Sequence, residues 1–174
     1  MKLHEITQSA SIPVEDPHSD IREWLSTMKI DGYTIHPNGV VDVYDCVNLD
    51  NKKLKEIPIQ FGHVTGNFDI SHNNLTSLKG CPLGVNGWFD CRDNPNLTDI
   101  LKHVFAPNFK LGGKLYVGMP TARSKVHPEP AGGRLIYDII NKHLPSKDLM
   151  GCVEEICQNN TKENDLIRFC GGLK

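Results

Sequence analysis

The chain has 174 residues, enough for one domain with a substantial core. Its hydrophobic share of 39%, charged share of 23% and formal net charge of −2 are those of a soluble globular protein and argue against a nucleic-acid-binding surface. No run approaches the roughly 18 apolar residues that a membrane span needs, and the N-terminus lacks the apolar stretch of a secretory signal. We therefore expect a cytoplasmic protein with no membrane contact.

The first 40 residues predict a tail followed by a cap. Residues 1–16 are polar and without period, which predicts a flexible tail. Residues 17–40 predict an N-terminal cap, in which Ser19 is the N-cap of a helix with one apolar stripe. The members of that stripe are Ile21, Trp24, Leu25 and Met28. Residues 33–43 then read as two short strands joined by a Pro-Asn-Gly turn, which predicts a hairpin.

The most informative feature is a repeat of 21 residues. The run VTGNFDISHNNLTSL at 64–78 is echoed by VNGWFDCRDNPNLTDI at 85–100, with one residue inserted at Pro95-Asn96. The shared template, apolar-x-apolar-x-x-Asn-x-Leu-x-x-apolar, is the leucine-rich-repeat pattern. Residues 41–118 therefore predict an α/β fold: a short leucine-rich-repeat-like solenoid with parallel strands, closed by a fourth strand near Leu115.

The Asn of the template has a definite structural task. In leucine-rich repeats it bonds backbone groups that would otherwise be buried and unpaired, at a cost of about 1 to 3 kcal/mol each. Asn73 and Asn94 hold this position in two units, whereas Lys52 holds it in the preceding one. Because Lys cannot make these bonds, the unit of Lys52 is predicted to be a solvent-exposed edge.

The alternation of each strand predicts which side chains face outward. If Phe68 and Phe89 point inward, their polar neighbours form three columns on the opposite face of the sheet. These columns are Cys46, Asn67 and Trp88; Asn48, Asp69 and Asp90; and Asp50, Ser71 and Arg92.

Two interpretations of this face stay open. Trp88 either lies flat over its neighbours or anchors a protein partner, because Trp, Tyr and Arg dominate interface hot spots. The predicted partner-binding residues are Trp88, Asp90, Arg92, Asp69, Ser71, Asn67, Asn48, Asp50 and Tyr116.

The C-terminal part predicts a linker and helices. Residues 119–133 are rich in Pro and Gly and predict a linker, and residues 134–174 predict a helical block of three helices. Pro145 ends the first helix, Ser146 caps the second, and Thr161 caps the third. The block either forms a second small lobe or presents apolar surface to another chain, for example in a homo-oligomer.

Six cysteines do not indicate a disulfide framework or a metal centre. With no secretory signal they are expected to stay reduced, and Cys91, Cys152 and Cys157 fall at apolar positions typical of buried thiols. No Cys-x-x-Cys pair exists, so a zinc site from His63, His72, Cys81 or Cys91 is a minor alternative. We expect neither a metal nor a cofactor.

Several consecutive motifs resemble one protein family. They are GYTIHPNG at 32–39, VDV at 41–43, VNL at 47–49, IPIQFGHVTGNFD at 57–69 and LTSLKGCP at 75–82. Together they resemble leucine-rich-repeat-like accessory proteins of large tailed bacteriophages, over about residues 20–118. The resemblance implies a viral origin and a binding role, with no catalytic residues to assign.

Three functions follow as hypotheses. The leading one is a phage-encoded interaction module without enzymatic activity, which binds and inhibits a host antiviral-defence or metabolic protein by steric occlusion in the host bacterial cytoplasm. The alternatives are a minor virion structural or internal head protein, and a small metal-dependent hydrolase. The last rests on Asp69 and Asp90, which neighbouring strands place roughly 5 Å apart.

Overall fold

The computed structural model describes residues 16–118 and 131–159. Within these ranges the protein is mixed α/β, with four helices and parallel strands in two sheets. The predicted tail (apart from Asp16), most of the predicted linker and the helix capped by Thr161 lie outside the described residues. The finer leucine-rich-repeat classification stays a prediction.

Helix α1, Ser19–Met28, covers one end of the core. Leu25 is fully buried, and the ring centroid of Trp24 lies 6.2 Å from that of Phe61, which confirms the predicted apolar stripe. The capping prediction was wrong: the N-cap is His18, and Ser19 is already the first helical residue. The helix ends at Met28, and its C-cap residue Lys29 has a left-handed φ of 60° that turns the chain toward the sheets.

A hairpin follows, as predicted. Strand β1, Tyr33–Ile35, pairs antiparallel with β2, Val40–Val43. Val41 and Val43 are fully buried, so the hairpin joins the same core as α1.

Each repeat unit contributes a strand to two sheets, and only one of the two was predicted. The predicted strands form a four-stranded parallel sheet in the order β3-β5-β7-β9. Their bounds are β3 Val47–Asn48, β5 Phe68–Asp69, β7 Phe89–Asp90 and β9 Leu115–Tyr116. The other sheet has the order β1-β2-β4-β6-β8 and is completed by β4 Gln60–Val64, β6 Gly84–Val85 and β8 Lys110–Leu111. We name these the first-column sheet, for β3-β5-β7-β9, and the hairpin sheet.

A stack of aromatic rings fills the space between the sheets. Phe68 pairs directly with Phe89 in the register of the parallel strands, as the repeat predicts. Ring centroids are 5.3 Å apart for Phe61 and Phe68, 5.5 Å for Phe68 and Phe89, and 6.2 Å for Phe89 and Phe109. Such edge-to-face and tilted pairs add to the stabilisation that burial itself provides.

The Asn positions make the predicted backbone bonds. The Nδ2 of Asn73 lies 2.8 to 3.0 Å from the carbonyl oxygens of Leu49, Ile70 and Ser71, and its Oδ1 accepts from Leu54 N at 2.9 Å. Asn94 repeats this pattern one unit later, where its Oδ1 accepts from Leu75 N. Lys52 is exposed and β3 is an edge strand, which confirms the predicted edge.

The longer interval before the fourth strand contains a short helix that the sequence pattern did not predict. Helix α2, Ile100–Val104, has all its apolar side chains buried. Its residues account for the longer interval between Phe89 and its register partner Leu115. The insertion at Pro95-Asn96 leaves the register intact, because Leu97 is still buried.

The C-terminal helices pack on the repeat units. Helix α3, Ala131–His143, begins three residues before the predicted start of the helical block at residue 134, and α4 is Leu149–Gln158. Ser146 does not cap α4: its Oγ donates to His143 O at the end of α3, whereas Asp148 accepts from Gly151 N and is the N-cap. Ile139, Ile140 and Ile156 belong to the same core as the phenylalanines, so the described part of the block is no separate lobe.

The cysteine predictions were right at two positions and wrong at a third. Cys91 and Cys152 are buried, as expected for apolar positions. Cys157 is exposed, because its position on α4 faces away from the core.

Replacing Asn73 should test the backbone bonding directly. We expect Asn73→Ala to lower the free energy of unfolding by about 3 kcal/mol, since several buried backbone groups lose their partner at about 1 to 3 kcal/mol each. Urea denaturation should detect the loss. Lys52→Ala, at the equivalent exposed position, should change stability by less than about 0.5 kcal/mol; equal effects of the two variants would contradict this role.

His103 should make stability depend on pH. It lies against the rings of Phe89 and Phe109, and its Nε2 is 3.2 Å from Pro82 O. Burial lowers the pKa of His103 below its ordinary value of 6.5, although the Pro82 bond opposes the shift. At pH values between the folded pKa and the ordinary value, the unfolded chain binds a proton at His103 and the folded chain does not. The free energy of unfolding therefore decreases as the pH falls from the ordinary value toward the folded pKa.

Urea midpoints measured between about pH 7 and pH 5 should therefore decrease for the wild type. His103→Gln should be less stable at neutral pH but show a shallower decrease. An unchanged slope would contradict this assignment.

Candidate functional site: the outer face of the first-column sheet

The three predicted columns exist, and hydrogen bonds between units occur in the first and in the third. In the first column, Asn67 N donates to Cys46 Sγ at 3.3 Å, and Trp88 N donates to Asn67 Oδ1 at 3.0 Å. Gly87, next to Trp88, allows this close approach, because a Cβ there would lie 2.8 Å from Gly66 O. Asn67 is thus a structural link between units, whatever else it contacts.

The side chains of the middle column form the turns at which the strands end. Asn48, Asp69 and Asp90 each accept from the backbone N–H two residues later, at 3.0, 2.9 and 3.0 Å. This is the Asx-turn geometry, in which a side chain takes the place of a backbone acceptor. Asn48 is exposed and Asp69 half-buried, but Asp90 is only 4% exposed. The expectation that Asp90 lies open on the surface was wrong.

The third column is also more enclosed than the alternation implied. Ser71 is 3% exposed, and its hydroxyl proton is shared between Asp50 Oδ1 at 3.0 Å and Asp69 Oδ1 at 2.6 Å. Ser71 therefore ties two units together and offers no surface to a partner. Asp50 and Arg92 remain partly exposed.

Asp90 and Arg92 form a bidentate ion pair. Arg92 Nη2 lies 2.6 Å from Asp90 Oδ2, and Arg92 Nε lies 3.0 and 3.1 Å from the two carboxylate oxygens. The carboxylate is buried, whereas 41% of the Arg92 side chain is exposed. The pair fixes the guanidinium plane over the ring of Tyr116, 5.3 Å from its centroid.

Tyr116 is the centre of an aromatic cluster. Trp88 meets it edge to face with ring centroids 6.1 Å apart, and Tyr137 of α3 stacks on it at 5.5 Å. We name Trp88, Arg92, Tyr116 and Tyr137 the aromatic cluster. All four side chains are half-buried, so the cluster is both supported and accessible. Burial, and then the neighbouring Tyr116, raise the pKa of Tyr137, which therefore stays a neutral phenol.

Tyr137 was missed because no repeat position predicts it. It comes from the helical block, and only the packing of α3 against β9 brings it to the sheet. Its signal in the sequence was limited to an aromatic residue within an apolar helical pattern, which is more often part of a core.

His72 joins two carboxylates beside the cluster. Its Nδ1 lies 2.7 Å from Asp50 Oδ1 and its Nε2 lies 2.9 Å from Asp93 Oδ2, so it spans the units on either side of its own. Asn51, His72 and Asp93 all have left-handed φ angles between 51° and 55°, and they occupy the same turn in successive units. The side chains of Asp50, His72 and Asp93 pair with one another across the units.

The residues weighed as metal ligands do not converge. His63 lies in β4 of the hairpin sheet, away from His72, and Cys81 is buried with its pKa raised by burial. Among the described residues no group of three His, Cys, Asp or Glu side chains is arranged to hold a metal ion.

The chain matches no known protein family, and neither a curated protein nor a solved structure is detectably similar to it. None of the helices in residues 16–118 and 131–159 is both long and apolar enough to cross a membrane.

A double-mutant cycle should show that Asp90 and Arg92 act as one unit. We expect Asp90→Ala and Arg92→Ala to couple by about 1 kcal/mol in urea denaturation, a modest value because the guanidinium is partly solvated. Asp69→Ala combined with Arg92→Ala serves as the control and should be additive. Additivity of the Asp90 and Arg92 changes within about 0.3 kcal/mol would contradict the coupling.

Proposed function

We propose that this protein is an interaction module that binds another protein through the aromatic cluster. The observation that carries the proposal is the convergence of Trp88, Arg92 and Tyr137 on the ring of Tyr116. Trp, Tyr and Arg are the residue types most often responsible for binding energy at protein interfaces.

The rigidity of the cluster supports the proposal. Each ring contacts another ring, and Arg92 is fixed by the buried carboxylate of Asp90. Side chains already ordered before binding lose little conformational entropy on association, so more of their contact energy appears as affinity.

The surroundings of the cluster resemble the polar rim of an interface. Asp50, His72 and Asp93 form a hydrogen-bonded and partly exposed group on the neighbouring units. A polar rim around an aromatic centre is the usual anatomy of a protein-binding surface. We expect the rim to set the orientation of the partner and the aromatic cluster to supply most of the affinity.

The motif resemblance supports a bacteriophage origin, and we infer that the partner is a protein of the infected bacterium. A rigid surface of this kind can inhibit a host defence or metabolic protein by covering its functional face. This mode of action requires no catalytic group and no cofactor.

Affinity capture from infected cells tests the proposal. Tagged wild-type protein should retain a specific host protein, and the purified pair should lose about thirtyfold in affinity on Trp88→Ala, as expected for a hot spot of 2 kcal/mol. Tyr44→Ala is the matched control, because Tyr44 is an aromatic residue that is 60% exposed and remote from the cluster in the strand order.

Two results would contradict the proposal. One is capture of no protein above background. The other is a captured protein whose affinity is the same for the wild type and for Trp88→Ala.

A further inference from the structure

The two sheets end differently on the C-terminal side of the stack. In the first-column sheet the last strand is β9, and the backbone N–H and C=O of Leu115 point away from the neighbouring strand β7. Asn141 of α3 satisfies that residue completely: its Oδ1 accepts from Leu115 N at 2.9 Å, and its Nδ2 donates to Leu115 O at 2.8 Å. One side-chain amide thus takes the place of the next strand.

The hairpin sheet ends at β8 without such a closure. Lys110 N donates to Leu83 O and Gly112 N donates to Val85 O, both at 2.8 Å, so these residues face β6. Leu111 lies between them, and its N–H and C=O therefore point to the opposite side. Within residues 16–118 and 131–159, no group bonds to the Leu111 backbone.

A cleft lies directly beside this open edge. It has a volume of about 270 Å³ and separates β8 from the turn between α3 and α4. Leu111, Leu144 and Pro145 provide apolar walls, and Phe109 forms part of the lining. The volume is slightly below the roughly 300 to 1,000 Å³ of pockets that enclose small ligands. The unpaired backbone of Leu111, rather than the volume, indicates an extended chain lying along the edge.

The charge of the cleft selects the occupant. The two charged residues that line it, Lys110 and Lys147, are both cations. Lys147 is held in place because its Nζ donates to Val104 O at 2.6 Å and lies 5.0 Å from the centroid of the Phe109 ring. Edge-to-edge pairing with a second copy would bring Lys110 against its own counterpart, and edge lysines generally prevent such pairing.

We propose that the β8 edge binds an extended, acidic peptide segment of a partner protein by strand addition. The Leu111 N–H and C=O exchange hydrogen bonds with the peptide backbone, and acidic side chains of the peptide lie near Lys110 and Lys147. This site goes beyond the aromatic cluster, because it belongs to the other sheet and recognises a backbone together with negative charge.

The probe is a fluorescein-labelled, end-blocked peptide of alternating Glu and Val, titrated with the full-length protein. We expect saturable anisotropy changes with a dissociation constant below about 1 mM at low salt. The same peptide with Lys in place of Glu should bind at least about tenfold more weakly, because the cleft repels it. Methylation of alternate peptide nitrogens should cause a similar loss, since it removes the donors that pair with β8.

Charge reversal locates the site on the protein. Lys110→Glu should weaken binding of the Glu-Val peptide by about tenfold or more. Lys79→Glu is the matched control, because Lys79 is equally an exposed lysine but lies outside the cleft, and it should leave the affinity unchanged. Equal effects of the two variants, or no binding up to about 1 mM, would overturn the proposal.

Hydrogen exchange supplies a readout that does not depend on any variant. In the free protein the Leu111 amide should exchange faster than the amides of Lys110 and Gly112, and saturation with peptide should slow it at least about tenfold. A Leu111 amide that is already protected would mean that another part of the chain covers the edge, and would refute the proposal. Loss of peptide binding in Trp88→Ala but not in Lys110→Glu would assign the peptide to the aromatic cluster instead.

Discussion

The structure depends on pairing backbone groups where each repeat unit leaves its strand. At these points the chain turns inside the fold, and an unpaired carbonyl or N–H would cost about 1 to 3 kcal/mol. Asn73 and Asn94 remove that cost by bonding to their own unit and to the preceding one. Because each amide requires the preceding unit at a fixed position, it also sets the parallel register that places Phe68 over Phe89. Ring stacking and strand ends follow from that register.

The same requirement explains the ends of the stack. Lys52 replaces Asn where no earlier unit needs bonding, and it can be exposed without cost. At the other end Asn141 satisfies Leu115 from a helix. At the β8 edge the backbone of Leu111 has no partner among the described residues, and a cleft lined by Lys110 and Lys147 lies beside it. The proposed surfaces are thus the aromatic cluster, which packing supports but does not cover, and this open edge.

The polar face shows how one residue pattern can serve two purposes. Alternation correctly sent Asp69, Asp90 and Ser71 to the side opposite the phenylalanines. Their short side chains then folded back to end strands and to bridge units, so Asp90 and Ser71 are buried and unavailable to a partner. The longer side chains of Trp88, Arg92 and Tyr116 reach beyond that layer and remain accessible. Alternation along one strand predicts which face of the sheet a side chain lies on, but it does not predict how deeply that side chain is buried.

The sequence by itself determined the repeat register, the inward phenylalanines, the Asn positions, the cap helix, the hairpin and the first-column sheet. These features depend on spacing and on residue chemistry that act within one unit or between adjacent units. Only the tertiary structure decided the second sheet, because β6 and β8 are two residues long and carry no alternation that could reveal them. It also decided the position of Tyr137 on Tyr116 and of Asn141 on Leu115, since α3 reaches β9 across 26 residues of sequence. Helix α3 lies outside the repeat, so the 21-residue spacing that predicts contacts between units gives no register for its packing on β9.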